Sequence, residues 1–141
     1  MKGDGKMHHD EREYDYKFDV SESIAGKDAG SVSVDVKSED DKQHKLTDKF
    51  RSTKVDYVRF WDDDDLEAGG NAKVNTVKAT GVGTWNGKSG YSFEIRATDD
   101  GEPGKNHDRF RITVRDAQGK TVTHVDEEID SGNNQSTKPP K

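Results

Sequence analysis

The chain has 141 residues and a formal net charge of −6; 37% of its residues are charged and only 27% are hydrophobic. This length suits one domain, and the composition allows only a thin core. There is no cysteine, which excludes disulfides, thiolate nucleophiles and thiolate metal sites. Basic residues are interleaved with acidic ones and form no block, so we expect no nucleic-acid partner. No run approaches the roughly 18 apolar residues of a membrane span, so we expect no membrane insertion.

The N-terminal half predicts strands after a polar start. Residues 1–12 contain no apolar segment of the signal-peptide type, and we expect a flexible lead-in there, with any leader outside this sequence. From Tyr14 to Val20, apolar and polar residues alternate, which indicates a strand with one buried face. Residues 32–36 and the stretch HKLTDKF predict two more strands. Between Lys54 and Trp61 the apolar residues change parity, which predicts a bulge near Tyr57.

The second half contains the clearest turns. The stretch NAKVNTVKATGVGTW predicts a long strand, in which Gly81 and Gly83 indicate a bend or a close approach of another backbone. Asn86-Gly87 is the strongest short hairpin signal in the chain. Further strands are expected around Phe93, around Ile112 and in TVTHVDEEI, the last two being joined by the tight turn DAQGK. Residues 131–141 contain no core residues and predict a flexible tail.

These patterns predict an all-β fold. Seven to eight short strands, with a turn about every ten residues and no helical period, are typical of an antiparallel β-sandwich or a partly closed barrel. We expect a single β domain over residues 13–130, with a meander from Ala72 to Ile129. We also expect a monomer.

The segment from Ala79 to Asp116 carries a family resemblance. It contains a G-x-G-T-x-N-G hairpin, an aromatic-x-Phe strand, a D-x-G-x-P-G loop and then D-x-F-x-I. This series resembles the post-COAP domain, a β-rich module at the C-terminal end of bacterial secreted and cell-surface proteins. The matching residues are Gly81, Gly83, Thr84, Asn86, Gly87, Tyr91, Phe93, Asp99 or Asp100, Gly101, Pro103, Gly104, Asp108, Phe110 and Ile112.

The resemblance implies a secreted or cell-surface accessory domain with no established catalysis and no active-site residues. It covers about 50 of the 141 residues and fades before Val74. The family closes with G-G-N-I and His-Lys-Pro, whereas this chain has SGNNQSTKPP, so the last element is less well defined. The phrase RATDDGEPG…RFRITVRD is also similar to the interior of a cadherin repeat, which implies calcium-dependent adhesion. The acidic motifs that hold calcium between cadherin repeats are absent from the sequence.

The acidic loop supplies the main candidate metal ligands. Asp99, Asp100, Glu102 and Asp108 could provide several of the six to eight oxygens that Ca²⁺ requires. The structural alternative, which the turn chemistry favours, is that the aspartates bond backbone amides while the glycines and Pro103 shape the bend.

A second acidic stretch offers a weaker candidate site at Asp62, Asp64 and Glu67. Consecutive residues of an extended chain point to opposite sides, so at most two of Asp62–Asp65 could reach one ion. The spacing is not that of an EF-hand loop, and a solvated run of charges is the favoured interpretation.

Aromatic residues give the last candidate site. Trp85 and Tyr91 flank the predicted hairpin and could stack on a sugar, although a chain with so few aliphatic residues also needs its aromatics for the core. No catalytic motif is present, and we expect no enzyme activity. The sequence therefore predicts a non-catalytic accessory or interaction module with a protein or glycan partner. The alternatives are a carbohydrate-binding module and a calcium-dependent cadherin-like adhesion module, and the only cofactor considered is Ca²⁺.

Overall fold

The computed structural model describes residues 1–9, 11–22, 28–39, 45–61, 76–99 and 108–135. These residues form nine β-strands and contain no helix. The strands are β1 (Lys2–His9), β2 (Arg12–Glu22), β3 (Asp28–Glu39), β4 (Lys45–Trp61), β5 (Thr76–Trp85), β6 (Lys88–Thr98), β7 (Arg109–Arg115), β8 (Thr121–Glu128) and β9 (Ser131–Gln135).

All nine strands belong to one antiparallel sheet. From β1 to β8 each strand pairs with the next one along the chain, and β9 pairs with the outer edge of β1. The sheet curls into a half-barrel, so the all-β prediction and the meander from β5 to β8 are confirmed. The predicted sandwich and the count of seven to eight strands are wrong, and the partly closed barrel was the nearer alternative. A curled sheet buries one face as a sandwich does, so the alternation of residues cannot separate the two.

The two unpredicted strands lie at the ends of the sequence. Residues 2–9 and 131–135, expected as lead-in and tail, form β1 and β9 and pair with each other. Their sequences, KGDGKMHH and SGNNQ, show no hydrophobic alternation, so no pattern predicted them as strands. The glycines allow a close approach of two backbones. At Gly5 an added Cβ would lie 2.7 Å from the Ser131 carbonyl oxygen and 3.0 Å from the Tyr16 ring. Residues 136–141 of the expected tail lie outside the described residues.

Strand β4 begins within the predicted third strand and continues through the stretch in which the apolar residues change parity. It pairs with β3 through its first half and with β5 through its second half. The register with β5 shifts between Ser52 and Lys54, and again between Val55 and Tyr57. The second shift confirms the predicted bulge near Tyr57. Because bulges bend a strand and increase its twist, they let this 17-residue strand follow the curl of the sheet.

Gly81 and Gly83 of β5 lie against the irregular part of β4, as the sequence indicated. A Cβ on Gly81 would collide with the Lys54 carbonyl oxygen and lie 2.7 Å from the Phe93 ring. A Cβ on Gly83 would collide with the Arg51 carbonyl oxygen and lie 2.7 Å from the Phe50 ring. The two glycines therefore let the bulged backbone of β4 and two core rings pack closely onto β5.

The curl brings distant strands together across the interior. Tyr16 of β2 and Phe110 of β7 stack with ring centroids 3.9 Å apart and an interplanar angle of 1°, although four strands separate β2 from β7 in the sheet. Phe18, Phe50 and Phe110 are almost fully buried. The concave face is therefore filled by packed side chains, with aromatic rings supplying much of the volume that the scarce aliphatic residues cannot.

A seam forms where the end of β8 meets β1. The Asp130 amide donates to the Lys6 carbonyl oxygen at 2.7 Å. His8 Nδ1 lies 2.5 Å from Asp130 Oδ2, and His9 Nδ1 lies 2.7 Å from Glu127 Oε1. The hydrogen bond with Asp130 raises the pKa of His8. Both histidine pairs are exposed to solvent, so we attribute the seam mainly to backbone pairing rather than to these charges.

We expect Gly81→Ala to lower the free energy of unfolding by roughly 1–3 kcal/mol, because the new methyl group must displace the β4 backbone and the Phe93 ring. Urea denaturation measures this change. The neighbouring Val82→Ala is the control, since Val82 is 41% exposed and its truncation should cost about 0.5 kcal/mol or less. Equal losses in the two variants would contradict the close packing of β5 on β4.

Candidate functional site

The acidic loop is described only at its two ends. Asp99 follows β6 and Asp108 precedes β7, and both are buried. Asp100 and Glu102 lie outside the described residues, as do Asp62, Asp64 and Glu67 of the second candidate. The metal-binding hypothesis for these five residues therefore stays a prediction.

Asp108 ties the last strand to β7. Its Oδ2 accepts a hydrogen bond of 2.8 Å from the Asn134 amide of β9, and its carbonyl oxygen accepts one of 2.9 Å from the Ile129 amide. The sequence suggested that this carboxylate bonds backbone amides within its own turn. The amide of this hydrogen bond is 26 residues further along the chain, which no local motif reveals.

The Asn134 side chain strengthens this connection to β7 and extends it to two more strands, β6 and β2. Its Nδ2 donates to the carbonyl oxygens of Thr98 and Arg109, at 2.9 and 3.0 Å, and its Oδ1 accepts a 2.6 Å hydrogen bond from the Tyr16 hydroxyl. We call Asn134, Tyr16, Asp108 and the Thr98 and Arg109 carbonyls the Asn134 clasp. The clasp joins β9 to β2, β6 and β7 at one end of the half-barrel.

The clasp is buried and well paired. Asn134 and Asp108 are completely inaccessible, and Tyr16 is 3% exposed. Burial, followed by the nearby charge of Asp108, raises the pKa of the Tyr16 hydroxyl, which keeps it a hydrogen-bond donor. Buried polar groups that are satisfied in this way specify one arrangement of strands. Neither Tyr16 nor Asn134 was a candidate from sequence: the first reads as an ordinary core aromatic, and the second lies in a polar stretch without pattern.

The described residues favour a structural role for the loop ends. Within them, no group of three or more histidine, aspartate or glutamate side chains is arranged to hold a metal ion. The Asp108 carboxylate also has one oxygen engaged by the Asn134 amide. What the described geometry does chemically is hold β9 against the start of β7.

Trp85 and Tyr91, the candidate ligand-binding pair, lie next to each other. Their ring centroids are 6.4 Å apart with an interplanar angle of 33°, and both rings are half-buried against the core. The hairpin between them turns at Asn86 and Gly87, whose φ angles of 52° and 82° fit a type I′ turn. The structure therefore brings the two predicted residues together at the rim of the concave face.

One hydroxyl–imidazole pair occurs in the described part of the chain. The Thr113 Oγ1 and His124 Nδ1 atoms are 2.8 Å apart on the outer face of β7 and β8. His124 is exposed, and within the described ranges no carboxylate orients its ring. A nucleophile–base pair needs such an orienting group and a site that excludes water, so this pair gives no support for catalysis.

Comparison with family models, curated proteins and solved structures gave no match to this chain. Across the residues that the structure describes, no helix is long and apolar enough to cross a membrane. The post-COAP and cadherin-like resemblances therefore remain hypotheses.

We expect Asn134→Ala to lower the free energy of unfolding by about 2–4 kcal/mol, because it removes the hydrogen bonds of this side chain to the Thr98 and Arg109 carbonyl oxygens and to the buried Tyr16 hydroxyl. Urea denaturation measures the loss. Ser131→Ala, at an exposed position of the same strand, is the control and should change stability by about 0.5 kcal/mol or less. If Asn134→Ala costs no more than its control, the clasp does not hold β9.

Calcium dependence separates the two interpretations of the acidic loop. Because Asp108 already bonds the Asn134 amide, we expect thermal unfolding curves in EDTA and in millimolar calcium to superimpose. Magnesium serves as the control cation. A midpoint raised by calcium alone would establish a site, since a ligand that binds only the folded state stabilises it. Asp99→Asn and Asp108→Asn would then show whether the loop ends belong to that site.

Proposed function

We propose that this chain is a non-catalytic accessory module of a secreted or cell-surface protein, and that it binds a protein or glycan partner through its surface. The observation that carries the proposal is the filled interior: aromatic rings occupy the concave face, and the Asn134 clasp satisfies the buried polar groups beside them. A domain whose interior is filled by packed side chains can bind a partner only through its surface, and a rigid scaffold that holds surface groups in place is typical of binding modules.

The positions of the resemblance residues support the same proposal. Gly81 and Gly83 accommodate the bulged strand β4, Asn86 and Gly87 form the hairpin, and Asp108 anchors β9. The motif that suggests a post-COAP module thus consists of residues with architectural roles in this chain. A motif of this kind specifies a scaffold and carries no reaction with it.

A neutral glycan at the Trp85–Tyr91 pair is the second candidate. The pair is favoured because two aromatic rings that are half-buried at a rim keep one face supported by the core and expose the remainder. Rings held in this way lose little freedom when a sugar stacks on them. The calcium-dependent adhesion alternative has weaker support, since Asp108 is engaged by Asn134.

Tryptophan fluorescence tests the glycan candidate. The chain has two tryptophans, so Trp61→Phe leaves Trp85 as the only reporter. We expect a matching glycan from a panel of neutral oligosaccharides to quench this fluorescence, and Tyr91→Ala to weaken binding by about 1–2 kcal/mol through loss of one stacking ring. Tyr57→Ala, on the outer face, is the control and should leave affinity unchanged. A panel without any quenching would remove the Trp85–Tyr91 surface from consideration.

A further inference from the structure

The hairpin between β5 and β6 is attached to β4 by the residue at its turn. The Asn86 amide donates to the Lys49 carbonyl oxygen at 2.8 Å, and the Lys49 amide donates to Asn86 Oδ1 at 2.8 Å. Asn86 Nδ2 also donates to Asp48 Oδ1 at 2.9 Å. These bonds lie one residue beyond the last ladder pair of β4 and β5, which is Phe50 with Trp85. We call the three hydrogen bonds the Asn86 tether.

Asn86 is followed by glycine, which makes its side chain chemically reactive. The backbone nitrogen of the next residue can attack the side-chain carbonyl carbon of an asparagine, and a glycine there has no side chain to block the approach. The sequence contains one Asn-Gly pair, Asn86-Gly87. Within the described residues, the Gly87 amide donates no backbone hydrogen bond, and a Cβ at Gly87 would meet no heavy atom within 4 Å. The attacking nitrogen therefore lies in open surroundings.

We propose that Asn86 is a deamidation site, that the tether protects it, and that its conversion releases the hairpin from β4. In the reaction, the Gly87 nitrogen loses its proton and bonds Asn86 Cγ, the Cγ–Nδ2 bond breaks, and Nδ2 leaves as ammonia with that proton. Water then opens the cyclic imide at either of its carbonyl carbons, which yields aspartate or isoaspartate at position 86. Nothing is oxidised or reduced, and solvent water is the co-reactant.

The tether opposes the first step of this reaction. Attack changes Cγ from a planar to a tetrahedral centre, which displaces Oδ1 and Nδ2 from the positions in which they bond Lys49 and Asp48. Each of these hydrogen bonds stabilises the closed arrangement by a modest net amount. The folded protein therefore reacts mainly during the fraction of time in which the hairpin has opened locally from β4.

The product does not fit the tether. A carboxylate at position 86 has no N–H to donate, and its second oxygen would face Asp48 Oδ1, which accepts from Nδ2 at 2.9 Å. Two carboxylates so close together repel. Isoaspartate would also add a methylene group to the backbone of a two-residue turn whose φ angles are 52° and 82°. Either product weakens the attachment of the hairpin, and the change is irreversible because the ammonia is lost.

The reaction would change the rim beside it. Trp85 directly precedes Asn86, and its ring centroid lies 6.4 Å from that of Tyr91. The chemical state of residue 86 therefore affects how this pair of rings is held. The inference concerns a covalent change and involves no ligand, so it goes beyond the proposed function and does not depend on a glycan or protein partner.

Tryptic peptide mapping after incubation at mildly alkaline pH tests the inference. Trypsin cleaves after Lys78 and Lys88 and releases residues 79–88, in which Asn86 is the single asparagine. Deamidation raises the mass of this peptide by the difference between an OH and an NH₂ group. We expect the folded protein to convert more slowly than a synthetic peptide of residues 79–88, which has no tether.

Two controls separate the tether from general stability. We expect Asp48→Ala to speed conversion of the folded protein about fivefold, because one hydrogen bond of the tether is lost. Thr47→Ala, at the neighbouring exposed position of β4, should convert at the wild-type rate. Gly81→Ala destabilises the sheet away from the tether and should also convert at that rate, because the hairpin opens locally.

A charge swap tests the effect of the product on the fold. Asn86→Asp imitates the aspartate product, and we expect it to lower the midpoint of thermal unfolding. Asn86→Asp combined with Asp48→Asn places one amide opposite one carboxylate again and should recover most of the loss. Asn86 is exposed and Asp48 is half-buried, so we expect these variants to fold.

Four results would overturn the inference. The folded protein could convert as fast as the synthetic peptide, which would show that the tether gives no protection. Asp48→Ala could convert no faster than Thr47→Ala, or Gly81→Ala could convert faster than Asp48→Ala, which would assign the rate to something other than the tether. Asn86→Asp could keep the wild-type midpoint, or lose stability that the swap does not recover, which would show that the product does not act through Asp48. An absence of conversion in the synthetic peptide would show that position 86 is not a deamidation site.

Discussion

The half-barrel depends on how its last strand is held. After β8 pairs with β7, the chain crosses the seam at Asp130 and continues as β9 along the free edge of β1. A five-residue strand of small and polar residues buries too little apolar surface to keep this position by hydrophobic packing. The Asn134 clasp supplies the missing specificity, because its groups find buried partners only when β9, β2, β6 and β7 are all in place.

The thin core follows from the same closure. With 27% hydrophobic residues, the chain can fill only a small core, and a few aromatic rings supply much of its volume. Tyr16 contributes to both the apolar core and the clasp, because its ring stacks on Phe110 while its hydroxyl donates to Asn134. Gly81 and Gly83 let the Phe93 and Phe50 rings and the β4 backbone pack directly onto β5.

Strands and turns that depend on neighbouring residues could be predicted from the sequence, whereas pairing between distant strands could not. The alternation from Tyr14 to Val20, the Asn86-Gly87 turn and the parity change near Tyr57 each report on backbone geometry within a few residues, and the structure confirms all three. Strands β1 and β9 were not predicted, because they lie at opposite ends of the sequence and are defined by their pairing with each other in the fold. At the candidate site, the sequence indicated that Asp108 bonds a backbone amide, but it did not indicate that the amide is that of Asn134.

The distribution of charges on the sheet also could not be predicted from the sequence. In sequence, basic residues alternate with acidic ones, which argued against any concentrated positive surface. Strand pairing rearranges that order, since residues opposite each other in an antiparallel sheet are separated by the length of a hairpin. Arg59 and Arg111 are 52 positions apart, yet they belong to one line across the sheet. The order of charges along the chain therefore does not predict their order across the sheet.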